Sequence, residues 1–322
     1  MIILSGGAGF IGSGMLARLN EEGEDDILIV DELDHPLKRR NLKGKRYRKV
    51  MGIDAFLKAV QGDTLRGKID ALIHMGACSS TTETDAAYLM ANNTGYSMQL
   101  IPWAVSKGAR VIYASSAATY GDGEEGYSDE PSRIHLLKPL NLYGWSKQLF
   151  DIWVMKQGLD KRVLGLKFFN VFGPNESHKG DMRSLVDKAY LQVLKTSKIR
   201  LFKSYRKGIG HGEQTRDFIY IKDVCELMLY ALKHPGFNGI YNLGTGKARN
   251  WNDLAKAVFA AMGRKVQIEY VDMPLDLKGK YQYHTQAVMR RTFKASKPFK
   301  FAHLEESVAD YIGNYLIPGR TW

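Results

Sequence analysis

In the stretch "NLYGWSKQLF", Tyr143 and Lys147 stand four residues apart where a helix is expected to begin. That spacing puts both side chains on one face. A phenol with a pKa near 10 is a poor base at neutral pH, and a neighbouring ammonium favours the phenolate. Ser116, at the end of the apolar run "ARVIYASS", adds a hydroxyl that can orient an alcohol or a carbonyl. The three together suit proton exchange with an alcohol. A second lysine, Lys179 in "NVFGPNESHKGDMRS", follows another apolar run and asks for its own explanation.

These residues need a scaffold. Strand-like segments recur at 2–5, 27–31, 47–53, 71–77, 109–116 and 163–173, with helical segments between them. Strands alternating with helices imply an α/β fold, a doubly wound parallel sheet of the Rossmann kind. Ligands in such sheets lie at the carboxyl ends of the strands. There stand a Gly-rich turn, then Asp31 with a basic loop, then "GACSSTTETD", "SSAATYG" and "NVFGPNESHKG". Beyond residue 175 the strands shorten and the loops become basic, while "RDFIYIKDV" and "GIYNLGTGK" read as returns to the main sheet. The expected division is a dinucleotide-binding domain over 1–174, with returning segments near 216–246. A smaller C-terminal α/β substrate-binding lobe then takes 175–215 and 260–322.

The opening "MIILSGGAGFIGSGMLARL" is a short strand, a turn holding Gly6, Gly7, Gly9 and Gly12, and a helix. Glycines there allow a tight turn, close approach of a pyrophosphate to the helix N-terminus, and packing of helix on strand. Asp31 ends the second strand about 20 residues on, where a carboxylate can bond an adenosine ribose. Asp31 and Glu32 favour a free 2′-hydroxyl, whereas Lys38 and Arg39 can clamp a 2′-phosphate. The balance leans to NADP, with NAD as the alternative. A cationic nicotinamide would also help to form the Tyr143 phenolate.

The chain has 322 residues, a net charge of +12 and two cysteines, Cys78 and Cys225. Two cysteines make no disulfide framework, no segment is as long and apolar as a membrane span, and the opening run leaves no room for a leader. A cytoplasmic protein without membrane attachment is expected, and no metal enters the reading. The run "KRRNLKGKRYRK" holds eight basic residues in twelve but only one aromatic, Tyr47. Its place beside the cofactor ribose, and the lack of stacking residues, argue against a nucleic-acid partner.

The landmarks "GGAGFIG", "SSAATYG", "YGWSK", "FNVFGP", "RDFIYIKDV" and "YNLGTG" resemble the extended short-chain dehydrogenase/reductase superfamily, which binds NAD(P) and acts on nucleotide sugars. In its 4,6-dehydratases an Asp-Glu pair follows the hydroxyl residue; here Ala117 and Ala118 stand there, which speaks against dehydration. "GACSSTTETD" and "GPNESHKGDM" resemble the ADP-L-glycero-D-manno-heptose 6-epimerase family, in which the His-Lys-Gly lysine is a second catalytic acid/base. The resemblance implies that role for Lys179 beside Tyr143, Lys147 and Ser116. It implies cofactor contacts from Gly6, Gly9, Phe10, Ile11, Gly12, Asp31, Glu32, Lys38, Met75, Gly76, Ala77, Cys78, Ser79, Asn92, Lys147 and Val171. Substrate contacts are implied for Ser79, Ser116, Asn170, Asp181, Lys188, Phe202, Arg216 and Tyr281.

For Arg216, a bidentate grip on the sugar diphosphate stands against an ion pair with Asp217. Members assemble into homo-oligomers, often pentamers, and make the heptose precursor of the lipopolysaccharide core. This chain departs from the family at Ile53 (usually Lys), Asp181 (usually Ser) and Lys188 (usually His), and its loop "KSYRKGIGHGEQTR" is longer and more basic. Inverting an unactivated secondary alcohol requires oxidation to a ketone and return of hydride to the other face. The two epimers present their oxygens on opposite sides, so Tyr143 and Lys179 would each serve one. A UDP-hexose 4-epimerase is the alternative.

Overall fold

The computed structural model describes residues 1–278 and 281–322. Its first half alternates strand and helix: β1 (Ile2–Ser5), α1 (Phe10–Glu21), β2 (Ile27–Val30), α2 (Pro36–Asn41), β3 (Lys49–Met51), α3 (Ile53–Gln61), β4 (Ala71–His74), α4 (Ala86–Leu89), α5 (Tyr96–Ser106), β5 (Arg110–Ser116) and α6 (Leu142–Lys156). There follow β6 (Val163–Phe168), β7 (Asn170–Phe172), α7 (Leu185–Thr196), β8 (Ile199–Phe202), β9 (Thr215–Tyr220), α8 (Ile221–Lys233), β10 (Gly239–Leu243), β11 (Ala248–Asn250), α9 (Trp251–Ala261) and β12 (Ile268–Val271).

Seven strands form one parallel sheet in the order β3-β2-β1-β4-β5-β6-β10. The strand sequences are nearly continuous apolar runs, as a sheet covered on both faces requires. Alternation within them sorts the two cores. Leu4, Ile29, Ile73 and Ile112 face Met15, Leu19, Leu227 and Met228 of α1 and α8. Ile3, Leu28, Leu72 and Val111 face Phe56, Leu100 and Phe150 of α3, α5 and α6. The order reverses at β1, so the crevice beyond its carboxyl end receives the Gly-rich turn.

Two expectations need correcting. The apolar run 163–173 is not one strand: β6 stays in the main sheet, and β7 leaves it after Phe169, whose N–H bonds the Leu243 carbonyl at 3.0 Å. β7 pairs instead with β9, and β9 with β11, in a separate three-stranded sheet. The segment at 216–220 therefore does not rejoin the main sheet; only β10 does, as the edge strand beside β6. Its apolar pattern satisfies either sheet, and the departure of β7 decides between them. A parallel pair, β8 and β12, stands behind α7. Among the described residues, no helix is long and apolar enough to cross a membrane.

One polar cluster crosses this apolar interior. Lys167 of β6 and Asp151 of α6 are both 0% exposed and pair at 2.6 Å. Lys167 also donates to Thr119 at 2.8 Å, and Asp151 accepts from Tyr113 at 3.0 Å and Ser115 at 2.6 Å. Every charge in the cluster is thus hydrogen-bonded. Removing one partner strands the other, at a cost of about 3–5 kcal/mol, whereas an apolar pair of similar volume costs less. Asp151→Ala is therefore expected to melt well below the wild type, and the double variant Asp151→Leu, Lys167→Met above that single variant. Thermal denaturation followed by circular dichroism checks the order.

Candidate active site

A cleft of about 1320 Å³ lies across the carboxyl ends of the sheet strands, between them and α7, β8 and β12. Its floor on one side is the Gly-rich turn. Gly6 adopts φ +68°, a left-handed conformation costly for other residues. A Cβ at Gly12 would stand 2.0 Å from the Gly6 carbonyl oxygen, so only glycine lets α1 start this close to the turn. Gly9 is the N-cap of α1 and offers no side-chain cap, and the first turn holds no acidic residue, which leaves its N–H groups free for an anion. The Asp31 carboxylate accepts from Ala8 N at 2.9 Å and from the Lys38 ammonium at 3.0 Å, fixing the turn against β2. Glu32 is held by Ile53 N at 2.7 Å. These features fit a dinucleotide pyrophosphate over α1 and an adenosine ribose beside Asp31.

The loop after β4 is clamped from a π-helical turn, Met90–Gly95, between α4 and α5. Asn93 accepts from Cys78 N at 2.8 Å and donates to the Cys78 carbonyl at 2.9 Å and to Ser146 at 3.0 Å. Asn92 lines the cleft beside it and donates to Asn93 at 3.0 Å.

Tyr143, Lys147 and Ser116 face the same cleft. Asn141 caps α6 by accepting from Gly144 N at 2.8 Å, which sets where the helix begins. Lys147 donates to the Ala114 carbonyl at 2.9 Å, and Ser116 accepts from Ala118 N at 3.1 Å. Burial lowers the Lys147 ammonium to about 8, against the opposing pull of Asp151, so it stays mainly charged at neutral pH. Burial raises the Tyr143 phenol, and the Ser116 hydroxyl pulls it back. A positive charge entering the site would favour the phenolate.

Lys179 reaches the cleft on a turn over Ser177–Met182, with its ammonium 5.3 Å from the centre of the Phe10 ring. Burial lowers its pKa, with Glu176 pulling up and Lys188 down. His178 beside it also lines the cleft; burial, with Lys38 and Lys179 near, holds its imidazole down at about 4.

Of the sequence-derived residues, the cleft brings together Gly6, Gly9, Phe10, Ile11, Gly12, Asp31, Glu32, Lys38, Met75 to Ser79, Asn92, Val171, Asn170, Lys188, Phe202 and Tyr281. Two stay out of it. Asp181 is exposed on the outside of its turn, and its carbonyl accepts from Lys188 at 2.7 Å. Arg216 is 6% exposed and lies behind the wall, its guanidinium 5.6 Å from the Trp251 ring and 5.1 Å from that of Tyr281. It donates to the Thr215 and Gln282 carbonyls. Nor does it pair with Asp217, which is spent on Thr245, Gly246 and Ala287. His178, Arg183, Arg200 and Trp251 line the cleft without having been singled out; Arg183 and Arg200 were legible only as members of a basic lobe.

The NAD dependent epimerase/dehydratase family matches residues 2–244. An ADP-L-glycero-D-manno-heptose-6-epimerase of Nitratidesulfovibrio vulgaris is 51% identical over 316 residues, 98% of each chain. One of Fusobacterium nucleatum is 45% identical over 325 residues, again 98% of each. The chain belongs to the ADP-L-glycero-D-manno-heptose-6-epimerase family. The structure of the Helicobacter pylori ADP-L-glycero-D-manno-heptose-6-epimerase is similar with a TM-score of 0.82, at 29% identity, over 97% of this chain and 95% of that one. A UDP-N-acetylglucosamine 4-epimerase from Methanobrevibacter ruminantium M1 reaches the same TM-score at 22% identity, over 98% of both chains, and shares the fold.

In this family member, Gly12→Ala drives a methyl into the Gly6 carbonyl. The strain of overpacking, about 1–3 kcal/mol, is expected to weaken dinucleotide binding by roughly tenfold or more. Isothermal titration of the cofactor-free protein with NAD and with NADP checks it.

Proposed function

We propose that this enzyme interconverts ADP-D-glycero-D-manno-heptose and ADP-L-glycero-D-manno-heptose by inverting C6, with NADP as its resident cofactor and NAD as the alternative. The observation that carries the reading is that two proton-exchanging side chains, Tyr143 on α6 and Lys179 on the turn after β7, line one cleft that also holds the dinucleotide turn. The relatives' names agree with it. A UDP-hexose 4-epimerase would leave Lys179 and its turn without a task.

The dinucleotide supplies hydride exchange at the reacting carbon. The protein's part is to move the hydroxyl proton and hold the sugar. The Tyr143 phenolic oxygen takes the proton from one epimer, with Ser116 bonding the same sugar oxygen and Lys147 favouring the ionised phenol. When the ketone has turned over, the Lys179 ammonium delivers a proton to the oxygen on the other side. Burial lowers the pKa of Lys179, which makes that delivery easier. The reverse direction exchanges the roles.

Lys188, Arg183 and Arg200, all on the cleft, are suited to the diphosphate. Arg216 acts by holding the Trp251 and Tyr281 rings as a fixed wall, a different task from a direct grip on phosphate. Lys38 favours a 2′-phosphate, which would compete for it with Asp31; Ile53 supplies no second cation. The free cysteines suit a cytoplasmic site of action. The product would feed the heptose units of lipopolysaccharide core, and the enzyme would work as a homo-oligomer, a pentamer by family resemblance.

Proton NMR of the anomeric region, with ADP-D-glycero-D-manno-heptose and no added cofactor, tests the reaction. Growth of the L-glycero epimer to equilibrium is expected. Lys179→Ala and Tyr143→Phe are each expected to lower turnover by about 10²–10⁴-fold. Turnover by Lys179→Ala above roughly a tenth of wild type would remove Lys179 from the chemistry.

A further inference from the structure

Among the described residues, the Lys179 ammonium has no carboxylate or carbonyl partner; it rests over Phe10. Its place in the cleft therefore depends on its turn. That turn is short and irregular, broken at Gly180, where φ is +53°. Glu176 precedes it and Ser184 follows it. Glu176 is 1% exposed, and both its carboxylate oxygens are bound to Ser184, Oε1 also accepting from Gly173 N at 3.5 Å. Oε2 accepts from Ser184 N at 2.5 Å and Oε1 from the Ser184 hydroxyl at 2.6 Å. The Glu176 carbonyl accepts from Lys179 N at 2.9 Å. One buried carboxylate thus ties the residue after the turn to the residue before it, and its own backbone holds Lys179.

The arrangement is costly. Burial raises the Glu176 carboxyl, Ser184 pulls it back and Asp187 adds to the rise. A glutamine could keep the bond from Ser184 N–H, but its NH2 would have to reverse the bond to the Ser184 hydroxyl and would face Gly173 N with a donor. The charge that strengthens both bonds would also be lost. An aspartate would be one methylene short. The other end of the span is anchored separately: the Asn175 side chain donates to Ser13 at 3.0 Å, and Asn41 of α2 donates to the Asn175 carbonyl at 3.1 Å. The turn is therefore referred to the dinucleotide side of the cleft through Asn175 and to α7 through Glu176.

We infer that Glu176 is a positioning residue for the reaction, closing the 177–183 turn on Ser184 so that Lys179 is held at the cleft wall over Phe10. The inference rests on the acid/base role proposed for Lys179.

Glu176→Gln, Ser184→Ala and Ser184→Thr, each alone and combined with Lys179→Ala, test it in the full chain with bound cofactor. Turnover and KM are measured, together with the rate at which trace acetic anhydride acetylates Lys179, read by peptide mass spectrometry. Glu176→Gln is expected to lower kcat by roughly 10- to 100-fold while KM moves by less than about threefold. The acetylation rate of Lys179 should shift with it. In the Lys179→Ala background the same substitution should change kcat by less than about threefold, because both act through one group. Ser184→Ala should show the pattern in smaller measure and Ser184→Thr should restore it; this pair decides the matter if Glu176→Gln does not fold.

Unchanged acetylation of Lys179 in Glu176→Gln and Ser184→Ala, or effects that multiply in the Lys179→Ala background, would overturn the inference. If Lys179→Ala by itself retains more than roughly a tenth of turnover, the acid/base role falls. The acetylation rates then still decide whether Glu176 sets the position of Lys179.

Discussion

The contact on which the site most depends is the buried ion pair between Lys167 and Asp151. An ion pair in an apolar interior is a poor source of stability, because desolvation consumes most of the attraction. What it does here is fix register. Asp151, Lys147 and Tyr143 are spaced by four along α6, so they follow one another on a single face. Anchoring Asp151 to β6 and to Ser115 of β5 therefore fixes the height of Lys147 and Tyr143 above the sheet, next to Ser116. Asp151 also opposes the loss of charge that burial imposes on Lys147. One cluster sets both the geometry and the charge of the reacting groups.

Much of this was legible in the sequence, for local reasons. The glycine turn, Asp31, and the Tyr143–Lys147 spacing are short-range patterns whose chemistry follows from residue type and helical period. The alternation of strand and helix gave the parallel sheet. What was not legible depends on pairings distant in sequence. Nothing in "RDFIY" says which sheet it joins; the answer lies in β7, some 45 residues earlier, and in its exit from the main sheet. Arg216 reads as a phosphate clamp because its type suits one. Only the aromatic rings packed on it, from α9 and from residue 281, put it behind the wall. Glu176 and Asn41 carry no local signal, since their partners lie on other elements.

The basic run is also less free than its composition implies. Lys38 is bound to Asp31, and Arg39 and Arg40 donate to the Leu33 and Gly319 carbonyls. Arg48 pairs with Asp26 at 2.9 Å. These groups are engaged in holding α2 and its loop against the body of the fold, so net charge overstates what they offer to a distant polyanion. Beside Lys38 and Lys147, the cations that line the cleft are Lys179, Lys188, Arg183 and Arg200, from the turn after β7, α7 and β8.

The π-helical turn at Met90–Gly95 has a consequence for how the segment can vary. Such a turn accommodates one residue more than an α-helix would. Taking out a single residue would let α4 and α5 run into one regular helix with their faces kept, so the change would fall within the turn itself. Asn92 and Asn93 would then no longer point as they do, and Cys78 would lose the side chain that holds both its N–H and its carbonyl. The stretch therefore depends on residue count more than on the identity of its outer side chains, such as the exposed Met90. Substitutions there should be well borne, and a shortening by one residue should not.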